Sequence, residues 1–181
     1  YSRRIGGNIF LNNYNYETKI DYAFKYTGQS ANGLLYGILL SESSINDAGH
    51  IVSESNIRSA ITRLRKDIIN QSSYIGFMHT QYEDYNDFSN VFSMDGLFSL
   101  LDNKLKFDGQ IVSMALNSAN SEMGQSYELS YTNKILNTGL DFLNNNVFHA
   151  WINYEEYSKN FDIDHLGYLI RNDFEGIKYG I

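Results

Sequence analysis

From Lys19 to Thr27 the chain alternates without a slip: Ile20, Tyr22, Phe24 and Tyr26 occupy one parity, and Asp21, Ala23, Lys25 and Thr27 the other. A period of two is the mark of a strand whose two faces meet different surroundings. The turn formers Gly28-Gln29-Ser30-Ala31-Asn32-Gly33 follow, and then Leu34 to Ser41, where Leu34, Tyr36, Ile38 and Leu40 share a parity opposite Gly33 and Gly37. The two segments predict a hairpin.

Beyond a polar loop around Ser43 to Asn56, Ile57 to Lys66 alternates poorly and leaves a short amphipathic helix open beside a strand. Ser72 to Gln81 reads as a strand whose inner side the pattern does not choose, since Ile75, Phe77 and His79 stand against Tyr74, Gly76 and Met78. Clean alternation returns with Phe92, Met94, Gly96, Phe98 and Leu100, and Asp102-Asn103 then signals a tight turn. The partner strand, Leu105 to Leu116, changes phase near Val112. Tyr127, Leu129 and Tyr131 alternate with polar neighbours. A further pair is expected at Ile135 to Leu143 and Val147 to Tyr154, across Asn144-Asn145-Asn146, and Ile177, Tyr179 and Ile181 close the chain. The expectation is all-β: an antiparallel up-and-down meander of roughly nine or ten short strands.

Composition sharpens this. The 181 residues contain no proline, where ordinary usage of roughly 5% predicts about nine, and proline is the residue a β-ladder tolerates least. Aromatics reach 15%, which suits strands. The absence of cysteine removes disulfides, thiolate catalysis and cysteine-ligated metals. A net charge of −7 without basic clusters argues against nucleic acid as a partner. The longest apolar run, Gly33 to Leu40, is too short for a membrane-spanning helix but not for the strands of a membrane barrel. The chain starts Tyr1-Ser2-Arg3-Arg4 and stops at Tyr179-Gly180-Ile181, so it reads as an internal piece of a longer polypeptide, a single barrel domain truncated at both ends.

A transmembrane barrel and a soluble up-and-down barrel produce nearly the same string and differ in which parity faces lipid or core. Tyrosine-rich strand ends and polar rows of both charge signs favour lipid on the apolar side. On that orientation Asp21, Lys25, Asp95 and Glu128 face water in the lumen.

Chemistry is sparse. His50, His79, His149 and His165 are isolated, without metal-ligand spacing. Asp162 and Asp164 fall on one face of an extended segment, as a calcium or sugar site would want, but without a glycine-bearing calcium loop they read as a turn-stabilising pair. Ser72, Ser73 and His79 offer fragments of a hydrolase triad and no assembled one. Glu155 and Glu156 are adjacent, hence on opposite faces. Arg63, Arg65 and Lys66 could form a basic cluster or snorkel from a strand end. No catalytic residue, cofactor or metal is assigned.

Three stretches carry a family resemblance: Tyr1-Ser2-Arg3-Arg4-Ile5-Gly6; Ala23-Phe24-Lys25-Tyr26-Thr27-Gly28 with Ala31-Asn32-Gly33-Leu34; and Asn160-Phe161-Asp162-Ile163-Asp164-His165-Leu166-Gly167-Tyr168-Leu169-Ile170-Arg171-Asn172-Asp173-Phe174. Together they resemble the C-terminal region of the domain-of-unknown-function family 5916. The resemblance implies an outer-membrane β-barrel of Gram-negative bacteria, typically following an N-terminal carbohydrate-binding module similar to family nine. Arg3, Arg4, Asp162, Asp164 and Arg171 are motif positions of unassigned role. The expected function is a membrane anchor or transport-type barrel of a cell-surface carbohydrate-handling protein. Its expected partners are the outer-membrane bilayer and, through that module, carbohydrate. The alternatives are a soluble all-β barrel holding an apolar ligand or partner, and an outer-membrane hydrolase.

Overall fold

The computed structural model describes residues 8–11, 14–47, 50–51, 56–69, 72–84, 88–116, 122–134, 147–161 and 173–181. Every regular element among them is a strand: β1 (Asn8–Leu11), β2 (Tyr14–Gln29), β3 (Leu34–Asp47), β4 (His50–Ile51), β5 (Ile57–Asp67), β6 (Tyr74–Glu83), β7 (Phe88–Leu100), β8 (Leu105–Leu116), β9 (Glu122–Lys134), β10 (Val147–Tyr157) and β11 (Phe174–Gly180). They form one antiparallel sheet in meander order, β1-β2-β3-β5-β6-β7-β8-β9-β10-β11, with the two-residue β4 paired to β3 off that path. Nine of the strands have seven residues or more.

The turns follow local chemistry. Gly33 adopts φ +79°, a left-handed conformation that glycine enters without a Cβ penalty, and its N–H donates to the Ser30 carbonyl at 3.1 Å. Leu101, Asp102 and Asn103 are all left-handed, and the Lys104 N–H closes the turn on the Leu101 carbonyl at 3.1 Å. Aspartate and asparagine tolerate that region best among residues with side chains. Leu100 and Leu105 can then pair directly across the hairpin.

Two open readings are settled and two expectations are revised. Ile57 to Lys66 is no helix but strand β5, bonded to β3 on one side and β6 on the other. Backbone pairing on both edges outweighs its weak alternation. The strand at Ser72 to Gln81 runs from Tyr74 to Glu83, and its orientation is now fixed: Ile75, Phe77 and His79 share the face of Phe92 and Met94. The phase change near Val112 involves no bulge, since β8 pairs with β7 in unbroken register. Val112 and Met114 instead lie on the face of Ser93 and Asp95, where Val91 is also apolar. β10 pairs with β9, from Val147↔Lys134 to Tyr157↔Gly124, and the expected strand Ile135 to Leu143 lies outside the described residues. The bulge that does occur is in β2, where Asp21 is the extra residue between Ile20↔Ser43 and Tyr22↔Glu42.

The sheet inverts the burial of a water-soluble protein. The large apolar side chains of one face, among them Tyr22, Phe24, Tyr26, Met94, Leu129 and Ile177, are exposed, while Ser41, Ser59, Thr80, Ser89, Ser93 and Ser99 on the other are buried. The buried apolar cluster among the described residues is small: Val91, Met114 and Phe161, with Val112 and Tyr157 against it, at one end of the polar face. Phe161 lies beyond β10 and packs back onto the sheet because Gly124 has no side chain. A Cβ there would stand 2.7 Å from the Tyr157 ring and 3.0 Å from that of Phe161.

Candidate functional site

The pairing registers make each face a grid. On the apolar face, the row through Phe24 continues to Leu40, Ala60, Gln81 and, on β7, Asn90. The row through Tyr179 continues to Ile152, Leu129, Phe107 and, on β7, Phe98. Phe24 is the centre of the exposed apolar set on β2, and Tyr179 stands between Ile177 and Ile181 at the other end of the sheet. The two rows reach β7 eight residues apart, at Asn90 and Phe98, although β2 and β11 are separated by only eight strand spacings.

Eight residues are about 27 Å of strand and eight spacings about 38 Å, so a level apolar band is inclined to the perpendicular of the strands by roughly 35°. Midway along this drift the band should centre on Met94 of β7, which is 59% exposed. Polar groups also stand on this face toward the end of the sheet where the β3–β5 and β8–β9 connections lie. There Tyr22 and Asn56 donate to Glu42, with the Arg58 guanidinium 3.6 Å away. On β9 and β10 of the same face, Gln125 and Tyr154 donate to Glu156.

The polar face carries the charges. Arg63 of β5 reaches diagonally over Gly76 of β6 to Asp95 of β7 and donates through both Nη atoms, the second at 2.6 Å. Gly76 makes this reach feasible: a Cβ there would sit 2.5 Å from Arg63 Nη2 and 2.8 Å from Asp95 Oδ1. Arg65 lies 3.9 Å over the Tyr74 ring and 3.4 Å from Asp67, and Lys178 is 2.9 Å from Glu155. Asp108 and Glu128 stand directly opposite each other on β8 and β9.

Of the four lumen candidates, Lys25, Asp95 and Glu128 share this face by register. The bulge takes Asp21 out of their row, and its carboxylate accepts from the Ser44 hydroxyl at 3.2 Å. The basic cluster does not assemble: Arg63 and Arg65 lie on the polar face, and Lys66, on the other parity, donates to the Asn32 carbonyl. Glu155 and Glu156 engage separate partners on the two faces. His79 stacks on Phe92 at 4.3 Å with Nε2 3.2 Å from Asn90 Oδ1, while the Ser73 hydroxyl accepts from the Ser99 N–H at 2.9 Å, so each is committed elsewhere than to a shared triad. His149 Nδ1 is 2.8 Å from the Thr132 hydroxyl. Among the described residues no group of three or more His, Asp or Glu is placed to hold a metal. Arg3, Arg4, Asp162, Asp164, His165 and Arg171 lie outside the described residues.

Glu122, beyond the apolar band at the start of β9, ties down the segment after β10. Donation by Ser158 and by Asn160, the latter at 3.1 Å, holds its carboxyl below the usual glutamate range. A carboxyl lowered on folding stabilises the docked segment fully above its unfolded value, and the contribution is lost as pH falls through the lower folded one. Amide protection at Ser158, which donates to the Met123 carbonyl, and at Phe161 is therefore expected to hold down to about pH 4 and to fall below it. Hydrogen exchange across that range checks this, and Glu122→Gln should remove the step.

The Arg63–Gly76–Asp95 constellation was not visible in the sequence. Its only signal is a small residue between two strands of opposite charge, which has meaning once the register is known. Comparison of the chain with protein-family models, with curated proteins and with solved structures gives no match.

Proposed function

We propose that this chain is part of a transmembrane β-barrel, seated in the outer membrane of a Gram-negative bacterium with its apolar face toward lipid. It serves there as an anchor or transport-type barrel. The observation that carries the reading is the oblique course of the exposed apolar band. A hydrocarbon slab is flat, so strands that cross it at a tilt must shift their apolar residues steadily along the register. The shift found here corresponds to roughly 35°, at the lower edge of the 35–45° of membrane barrels. A soluble barrel would turn its apolar parity inward and has no reason to expose a level band on the opposite side from its buried serines.

The resemblance to family 5916 supports the same location. It also suggests that the barrel belongs to a cell-surface carbohydrate-handling protein whose sugar-binding module lies outside this chain. The described histidines and serines offer nothing that favours the hydrolase alternative.

The test is membrane fractionation of the protein expressed in a Gram-negative host, with gel mobility compared before and after boiling. Recovery in the outer-membrane fraction with a heat-modifiable band is the expected result. Recovery in the aqueous fraction without detergent overturns the reading and favours the soluble barrel.

A further inference from the structure

Four buried polar atoms have no hydrogen-bond partner among the described residues: Ser41 Oγ, Ser93 Oγ, Arg65 Nε and Asn153 Oδ1. All four residues belong to the polar face by register. Ser41 and Ser93 are only 7% and 3% exposed. Hydroxyls that deep are ordinarily satisfied, and beside the small side chains of Gly37, Ser59 and Ser126 on this face the partner that fits is water.

The charges on this face are unevenly matched. Arg63 is taken by Asp95, Arg65 by Asp67 and Lys178 by Glu155, while Lys25 forms no ion pair among the described residues and stands on β2, five strands from β8. Asp108 and Glu128 oppose each other across the β8–β9 ladder, and neither forms an ion pair among the described residues. Lys106, the nearest cation along β8, opposes Ser130 instead. Like charges directly across a ladder repel, and solvent or a mobile cation relieves the repulsion. Asn153, with its unpartnered Oδ1, is the residue opposite Glu128 on β10.

We propose that the polar face lines a water-filled path that passes small cations in preference to anions, with Asp108 and Glu128 setting the preference. The proposal rests on the barrel reading above and adds an open, hydrated lumen and a class of permeant. A row of fixed, unneutralised carboxylates raises the local cation concentration in a narrow low-dielectric passage, and salt screens the effect.

The experiment uses the full protein purified from membranes in detergent and inserted in planar bilayers under a KCl gradient. The reversal potential is expected on the cation side. The Asp108→Asn/Glu128→Gln double variant should lower the potassium-to-chloride permeability ratio by about twofold or more, with a smaller change at 1 M than at 0.1 M salt. Glu156→Gln, on the apolar face, should leave the ratio unmoved. A heat-modifiable barrel without conductance refutes the open path and leaves the barrel standing. Conductance with the same ratio in the double variant refutes the role of the two carboxylates. Should that variant lose its heat-modifiable band, Glu128→Gln alone decides the matter. Recovery of the wild-type protein in the aqueous fraction removes the barrel itself.

Discussion

Replacing Phe24 with arginine is expected to cost about 2–4 kcal/mol of folding stability in a bilayer, while Lys25→Ala one position along costs much less. The two residues are adjacent on β2 and both exposed, Phe24 to 57%, so the surface of the isolated sheet does not separate them. The surrounding medium does. If Phe24 meets water, its replacement by arginine removes an apolar surface group and changes stability by no more than about 0.5 kcal/mol. If it meets hydrocarbon at the middle of the band, a guanidinium must be held there or drag water in, and the cost rises toward the midplane value.

Depth provides a second axis to the same test. Arginine at Met94, the centre of the band on β7, should match Phe24→Arg, because the oblique course of the band puts both at one height although their rows differ. Arginine at Asn90, which shares a row with Phe24 but lies above the band on β7, should cost at most about 1 kcal/mol. Reversible denaturant unfolding in lipid vesicles, followed by Trp151 fluorescence, measures all of these. Equal effects at Phe24 and Lys25, or at Met94 and Asn90, would remove the apolar face from the membrane.

Most of the strands were legible in the sequence because each carries its own alternation and its own turn. Phe92 to Leu100 needs no neighbour to declare itself, and Asp102-Asn103 marks the turn from local backbone preference alone. What sequence could not supply was register. The oblique band is a property of rows that run through nine strands, and the Arg63–Asp95 pair joins residues 32 apart in sequence. Local pattern is ambiguous where tertiary pairing decides. β5 alternates poorly because Arg58, Thr62 and Lys66 share the parity of Leu64 while Ile57 and Ile61 share that of Arg63 and Arg65, so its two faces hardly differ and only the pairing on both edges identifies the strand. Val112 and Met114 mimic a phase slip because Phe161, a distant loop residue, gives that end of the polar face an apolar cover. The bulge at Asp21 leaves no trace in composition, since the residue is polar on either parity.

Gly76 sits at the crossing point of the charged network, and Gly76→Val should destabilise the protein by about 1–3 kcal/mol even though valine is the better strand residue. The added Cβ falls on the guanidinium–carboxylate bridge between Arg63 and Asp95. Arg63 can swing aside, so the backbone is spared, but the ion pair is lost and Asp95, whose side chain is 16% exposed, is left without its cation. Breaking a fully buried pair costs about 3–5 kcal/mol; the loss here should be smaller because about a third of the Arg63 side chain stays in contact with solvent. Once the bridge is absent the same substitution should change sign. In an Arg63→Ala/Asp95→Ala background the three atoms nearest to that Cβ are gone, and valine there gains up to about 1 kcal/mol from strand propensity and reduced unfolded-state freedom. A double-mutant cycle by denaturant unfolding then yields a coupling energy of about 2 kcal/mol. A cost for Gly76→Val that is the same in both backgrounds would place the strain in the backbone of β6 and detach the glycine from the ion pair.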